Sequence, residues 1–468
     1  MRNRLPGILL KGLLWVLGAL ALAVGALLGV NAYDEPLSTE AKALLVMPQR
    51  PAASERNGYV DRLGLAAPEG MTPHEAGLKV LAALRAQDEA GFKRTKEWGT
   101  TFKLSEVKID KQMRFYAVGV KSVLEQALGI PELAQLVTKH ELPLARYRAM
   151  REKPEYVDLY YPTRPDSLLL PGILNLQQLA FLAAAAKAFA GDLEGAVREL
   201  EQENAFHRKA AAGSPNVTQK MIAASSLQRN ALFISDVVRS NPDALARFLP
   251  RLEALVRPLS AAEADMAKVL HSDAATWALA LQKTDALVTM VTDLDPHWWN
   301  GMPSLFYRPR ETVNLFAARS AQMRKVGDVP ATQYLKAADE AVAQAHALSP
   351  RGPASQLVNP VGRGIVESFS EPEAFGTLTY VGRVHDTQGL LALVALQIGL
   401  RAASATTPEA IVAALAGPLG KERPDPYSGR PMTFDPKTNS LGFESQSKSS
   451  TDLVALKKRF GGRVAIAL

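Results

Sequence analysis

The tightest grouping of ligand-type residues in this chain is Asp293-x-Asp295-Pro296-His297. Carboxylates two apart in a loop can converge on a cation, and an imidazole can join them. No paired-His motif elsewhere completes such a site, and the competing reading has Asp295 capping a turn ahead of Pro296. Glu203 and His207 stand four apart on a helical stretch and so face the same side. Without a His-Glu-x-x-His pattern they are expected to form a surface ion pair or a satisfied hydrogen bond. His385-Asp386 supplies two parts of a triad but has no identifiable nucleophile, and there is no Gly-x-Ser-x-Gly. Asp386 is therefore expected as the N-cap of the apolar helix over 387–403. Ser105-x-x-Lys108 matches one short penicillin-binding element without the Lys-Thr-Gly or Ser-Asp-Asn that would accompany it. There is no Walker A and no Gly-x-Gly-x-x-Gly. The absence of cysteine removes disulfides, thiolate metal sites and thiol nucleophiles.

The elements that must hold these residues read as helices. Apolar residues reach 47% and aromatics only 7%, with Ala and Leu abundant, a balance that favours helix over sheet. The stretch 182–208 reads as two antiparallel helices, the first ended by Gly191 and the second capped by Asp192. No second copy follows at fixed spacing, so a repeat solenoid is not supported. Leu227, Ala231, Ile234 and Val238 form one stripe of a helix whose cap is expected at Ser214, and the next helix opens at Asn241-Pro242. "DEPLSTEAKALL" reads as a short helix, and the Gly/Pro-rich 57–77 as an irregular loop. The apolar runs 168–190 and 389–400 read as buried core helices. The stretch 292–316 carries Trp298, Trp299, Phe306 and Tyr307 in a Pro/Gly/Asn setting, where aromatics are either buried or presented to a partner.

The amino terminus is different in kind. Gly12 to Val30 holds no charged or strongly polar residue and as a helix spans about 28 Å, close to a bilayer's hydrocarbon core. Arg2, Arg4 and Lys11 precede it and Asp34 and Glu35 follow, which by the positive-inside rule places the N-terminus in the cytoplasm and the body across the membrane. The small residues at Val30-Asn31-Ala32 also allow a cleaved signal peptide, but the apolar run is longer than a usual signal core. Of the net charge of +7, the segment 91–153 carries +6, from 13 Lys/Arg against 7 Asp/Glu. Lys93, Arg94, Lys96, Lys108, Lys111, Arg114, Arg146, Arg148 and Arg151 then read either as a solvated helical face or as a patch for anionic lipid. No stacking platform of aromatics accompanies them, so nucleic acid is not an expected partner.

In "RPDPYSGRPMTFDPKTNSLGFES", 423–445, Asp425 can accept amide hydrogen bonds, Pro426 fixes φ, Gly429 supplies positive φ, and "MTFD" and "LGFES" read as hairpin strands around "PKTNS". The terminal "GRVAIAL" offers a third strand. Residues 386–445 resemble a module of uncharacterised single-pass bacterial envelope proteins: an apolar helix, a Thr-Pro-Glu-like start ("TTPEAIVAAL"), then Asp-Pro-aromatic-Ser/Thr-Gly-x-Pro into a hairpin. The same turn resembles, distantly, the carboxyl-terminal part of type II secretion pseudopilins. The prepilin peptidase site and early helix Glu of that family are missing from residues 1–30. The resemblance implies a calcium option at Asp435, Glu444 and Asp452, without the dense acidic loop it needs.

These readings combine into a mainly α protein with an N-terminal transmembrane helix, a multi-helix periplasmic body and a small C-terminal β-hairpin element. The expected divisions are 1–34 (cytoplasmic tip and anchor), 35–376 (helical body) and 377–468 (apolar helix plus hairpin tail). The expected role is a non-enzymatic scaffold or accessory in envelope assembly, secretion or protection, with no cofactor. It is held in the bacterial inner membrane by residues 12–30 and docks an envelope protein through Trp298, Trp299 and Tyr307. The alternative is a periplasmic metal-dependent hydrolase using Asp293, Asp295 and His297.

Overall fold

The computed structural model describes residues 5–46, 52–89, 101, 103–110, 123–159, 171–240, 242–282, 304–348, 352, 357–368, 376–446 and 451–468. The described chain is mainly helical with one small antiparallel sheet near the C-terminus. In chain order the helices used below are α1 (Leu5–Ala32), α2 (Thr39–Leu44), α3 (Gly58–Leu63), α4 (Pro73–Glu89), α5 (Glu141–Glu152), α6 (Pro171–Phe189), α7 (Leu193–Gly213), α8 (Val217–Ser240), α9 (Pro242–Leu255), α10 (Ala261–Ala264), α11 (Ala267–Gln282), α12 (Pro309–Arg324), α13 (Tyr334–Ala347), α14 (Pro360–Ser368), α15 (Gly376–Ala402), α16 (Pro408–Ala416), α17 (Pro418–Glu422) and α18 (Thr451–Arg459). Contacts gather the chain into two compact units, 1–47 with 274–323 and 340–375, and 48–273 with 324–339 and 376–468. Both are assembled from separated stretches, whereas the divisions expected from sequence were linear.

The smaller unit carries α1. Its stretch Lys11–Ala32 has a mean hydropathy of 2.5, is long enough to cross a bilayer and is exposed along most of its length. Its core gathers Ala41 and Leu44 of α2 with Ala275, Ala278, Leu281, Val313, Phe316 and Val366. Where α1 ends, polar side chains take over. Asn31 is buried; its amide donates to the Leu357 carbonyl (2.9 Å) and its Oδ1 accepts from the Asn359 N–H (2.7 Å). Asn359 sits at φ 50°, and its Oδ1 accepts from the N–H groups of Arg308 (2.9 Å) and Gly362 (3.2 Å). A Cβ on Gly362 would fall 1.9 Å from Thr312 Oγ1, so only glycine fits beside this amide. Asp34 then accepts from the N–H groups of Arg310 and Glu311, a carboxylate at the N-terminus of α12. Asn314 bonds Ser38 and Glu35.

The larger unit is a helical stack closed by the sheet. Gly191 (φ 83°) ends α6, and Asp192 accepts from the Gly195 N–H to start α7, as the sequence implies. The expected stripe Leu227, Ala231, Ile234 and Val238 is buried in α8. Its cap differs: Asn216 Oδ1 accepts from the N–H groups of Thr218 and Gln219, while the Ser214 hydroxyl turns to the buried Asp158. The irregular loop expected over 57–77 is also corrected. It holds α3 and the start of α4, with Asn57 as cap accepting from the Tyr59 N–H. Two of its glycines serve close packing, since a Cβ on Gly77 would lie 1.8 Å from the Val60 carbonyl and one on Gly64 2.0 Å from that of Pro73.

α15 is the spine of the C-terminal part. Leu390, Leu391, Leu393, Val394, Leu396 and Ile398 are fully or almost fully buried, each worth roughly 1.5–3 kcal/mol by apolar burial. It packs along α8 and α9 and against β2 and β3. The sheet runs β1 (Thr433–Asp435), β2 (Ser440–Phe443), β3 (Val464–Ala467) in that order, antiparallel, with Phe434 opposite Leu441 and Leu441 opposite Ile466. The hairpin and its third strand fall where the sequence places them.

Candidate functional site

The residues with most chemical capacity among those described meet on one turn of α15. Asp386 is not the N-cap expected from sequence, because α15 begins at Gly376 and Asp386 lies well inside it. Its side chain has no solvent exposure. Oδ1 accepts from the Tyr427 hydroxyl at 2.7 Å, Oδ2 accepts from the Ser445 hydroxyl at 2.7 Å, and Lys457 Nζ lies 3.5 Å away. Burial pushes the carboxyl up, and Lys457 and the two hydroxyls only partly oppose it. Burial and the facing carboxyl push the Tyr427 phenol far above its ordinary value, so it stays a donor.

The 423–431 turn exists to aim that tyrosine. Asp425 Oδ1 accepts from the Tyr427 N–H (2.9 Å), Oδ2 from the Ser428 hydroxyl (2.8 Å), and Gly429 takes φ 67° so that its N–H reaches the Asp425 carbonyl. Phe443 fills the space over Gly389, where a Cβ would come 2.5 Å from its ring. One carboxyl thus pins the turn, the strand end and α18 onto α15.

His385, one position earlier, points about 100° away around the helix. Its ring stands edge-on to Tyr334 (centroids 5.5 Å) and Tyr427 (6.2 Å). Burial lowers its pKa to about 4, so the imidazole is neutral at physiological pH. Its Nε2 is buried with no hydrogen-bond partner among the described residues. It borders a cleft of about 800 Å³ lined from α15 by His385, Gln388, Ala392 and Ala395, and across from them by α10, residues 327–331, residues 422–424 and Pro426. Gln388 is fixed by accepting from the Leu259 N–H at 2.8 Å.

A second cluster corrects two expectations. Glu203 and His207 are not on the surface; each side chain is about 1% exposed, 3.5 Å apart. Glu203 accepts from the Tyr147 hydroxyl (2.9 Å) and Arg151 Nη1 (2.9 Å), and Glu199 from Arg151 Nη2 (2.6 Å) and Arg148 Nη2 (3.1 Å). Burial pushes both carboxyls up, but their partners together, Arg151 and Arg148 at Glu199 and Arg151 and His207 at Glu203, hold them below their ordinary value. These arginines belonged to the expected solvated or lipid-facing patch. Instead Arg151 is buried, Arg148 is spent on glutamates, and Arg146 donates to the Ala67 carbonyl. Lys108 is exposed, 3.8 Å from Glu106. Lys93, Arg94, Lys96, Lys111 and Arg114 lie outside the described residues.

The metal candidates Asp293, Asp295 and His297, and the aromatics Trp298 and Trp299, also lie outside the described residues. Tyr307 is not presented to a partner: it is buried in the core of the smaller unit, with its hydroxyl donating to the Leu281 carbonyl. Among the described residues no group of three or more His, Asp or Glu is placed to hold a metal ion. Asp435 instead accepts from Lys437 N–H and Thr438 Oγ1 within the hairpin, and Glu444 is largely exposed near Arg463. Ser105 is buried while Lys108 is exposed. The Asp386–Tyr427–Ser445–Lys457 assembly escaped the sequence reading. Its signals are an Asp inside an apolar helix and an aromatic held in a rigid turn.

Comparison with known protein families, characterised proteins and solved structures finds no match to this chain.

Proposed function

We propose that the protein is a single-pass inner-membrane scaffold or accessory with its body in the periplasm, acting by binding a protein partner in envelope assembly, secretion or protection. The observation that carries this reading is the joint at Asn31. A disposable signal segment has no reason to bury its last residues in the body, yet Asn31 makes two side-chain bonds to Leu357 and Asn359. Cleavage after Ala32 would leave the buried Asn359 N–H unpartnered, at a cost on the order of 1–3 kcal/mol. The positive flank ahead of the span and Asp34 and Glu35 after it support the orientation. The buried acids of the larger unit support a non-enzymatic role, since Glu199, Glu203 and Asp386 are engaged in holding helices together. The resemblance of 386–445 to envelope-protein modules points to the same compartment.

The test is the intact mass of the protein purified from membranes, together with a reporter fused after residue 40. The expected result is retention of residues 1–32 and a reporter active only outside the cytoplasm. A mature chain starting at Tyr33, or a reporter active in the cytosol, overturns the anchor. Mild detergent extraction is expected to yield a stoichiometric envelope partner, and a lone monomer counts against the scaffold role.

A further inference from the structure

We infer that the cleft beside His385 is a groove for an extended peptide segment of about four or five residues, apolar and carrying one Lys or Arg. The inference rests on the partner-binding reading and names the feature of the partner that this cleft would take.

Shape comes first. His385, Gln388, Ala392 and Ala395 follow one another at spacings of three, four and three, so they lie along one face of α15. Ten residues of helix run about 15 Å, the reach of four or five extended residues at roughly 3.3 Å each. The cleft volume, about 800 Å³, suits a ligand of that size. Ala392 and Ala395 keep the floor shallow enough for a main chain to lie on it. Pro330 and Pro424 on the walls add apolar surface without N–H groups that would demand partners.

Polarity selects a peptide over an acyl chain or a plain aromatic. An acyl chain would strip water from Gln388, Asp265, Asp328 and Glu422 at the cleft wall with nothing to pair them, at a cost. A peptide carries both an N–H and a C=O at each residue, so it can pair polar groups of either kind along the wall. Charge then selects a basic side chain. Asp265, Asp328 and Glu422 line the cleft against one cation, Arg423, whose guanidinium is already 3.5 Å from Glu422.

The experiment uses the full chain in detergent micelles and fluorescein-labelled pentapeptides of Leu, Ala and Val with one central Lys, beside the same set with Glu. Anisotropy is expected to give micromolar binding for the Lys set and at least tenfold weaker binding for the Glu set. Ala395→Trp, which fills the floor, is expected to weaken the Lys set at least tenfold at an unchanged melting temperature. Asp328→Lys with Glu422→Lys, both on exposed rim positions, is the second variant and is expected to reduce or invert the preference for Lys over Glu. Equal affinity for the two sets, no binding below millimolar, or binding indifferent to both variants overturns the inference. A stoichiometric partner that Ala395→Trp still retains overturns the groove and leaves the scaffold reading standing. Groove-dependent peptide binding with no partner in extracts does the reverse.

Discussion

The cluster around Glu203 and the pair His385–Asp386 use the same residue types inside one compact unit, and they end in different states. Around Glu203 the glutamates accept from Tyr147, Arg148 and Arg151, and the group is sealed between α5 and α7. At α15 the Asp is sealed in the same way, by Tyr427, Ser445 and Lys457, but the neighbouring His keeps one nitrogen unpartnered beside a cleft. Closed polar groups fix how helices cross. The difference follows from helix geometry, because two adjacent positions on α15 look into two different environments.

The largest break in this comparison comes from the closed side. Arg151→Met leaves two buried carboxylates short of their cation, and loss of one partner of a buried pair costs about 3–5 kcal/mol. Denaturant unfolding should show that loss as a lower midpoint, and Arg151→Met combined with Glu203→Gln should recover part of it. An unchanged midpoint for the single variant would mean that the cluster contributes nothing to stability.

The open side is probed next, by acid. His385 has a folded pKa of about 4 against an ordinary value near 6.5. Between those values the unfolded chain binds more protons than the folded one, so stability from this group is complete above pH 6.5 and falls as pH drops towards 4. Linkage puts the loss at about 3 kcal/mol. Asp158, raised to about 6 chiefly by burial with Ser214 and Arg62 opposing, acts in the other direction and gains stability as pH falls through 6. The check is therefore the difference between wild type and His385→Gln across pH 4–6.5. The variant should lack the His385 slope, and parallel curves would show that the ring titrates normally.

How much of this was legible in sequence depends on the range of each interaction. The Gly191 stop, the Asp192 cap, the α8 stripe, and the hairpin with its third strand are set by neighbours within a few residues, and their residue types declare them. The α3–α4 corner was misread because Gly64 and Gly77 carry the same letter whether they bend a loop or admit a packed backbone. Asp386 was misplaced as a cap because its partners at 427, 445 and 457 are 41 or more residues away, and no local pattern announces them. The arginines of 91–153 were read as a surface run. The glutamates that engage Arg148 and Arg151 belong to another helix, 48 or more residues later.

A smaller effect tests whether Asp386 clamps the C-terminal module. Tyr427→Phe keeps the ring against Phe443 and His385 and removes the hydroxyl, which donates to the Asp386 carboxyl and to the Gly382 carbonyl, a bond worth about 1.5–3 kcal/mol for a charged acceptor. Hydrogen exchange should speed up over residues 423–468 and stay unchanged in α6 and α7. Uniform acceleration across the larger unit would mean that the module does not open as a separate piece.

The smallest effect separates a cation paired to a buried carboxylate from an exposed one within one basic segment. Lys108 is about three-quarters exposed and sits 3.8 Å from a half-exposed Glu106. Such pairs are screened by salt and pay side-chain entropy to form. Lys108→Ala should therefore leave the unfolding midpoint where it was, at low salt and high, while Arg148→Ala lowers it, because Glu199 is buried and loses a donor. If Lys108→Ala instead weakens salt-sensitive binding of the full chain to anionic vesicles with stability intact, the exposed part of this segment has a lipid role that its paired arginines do not share.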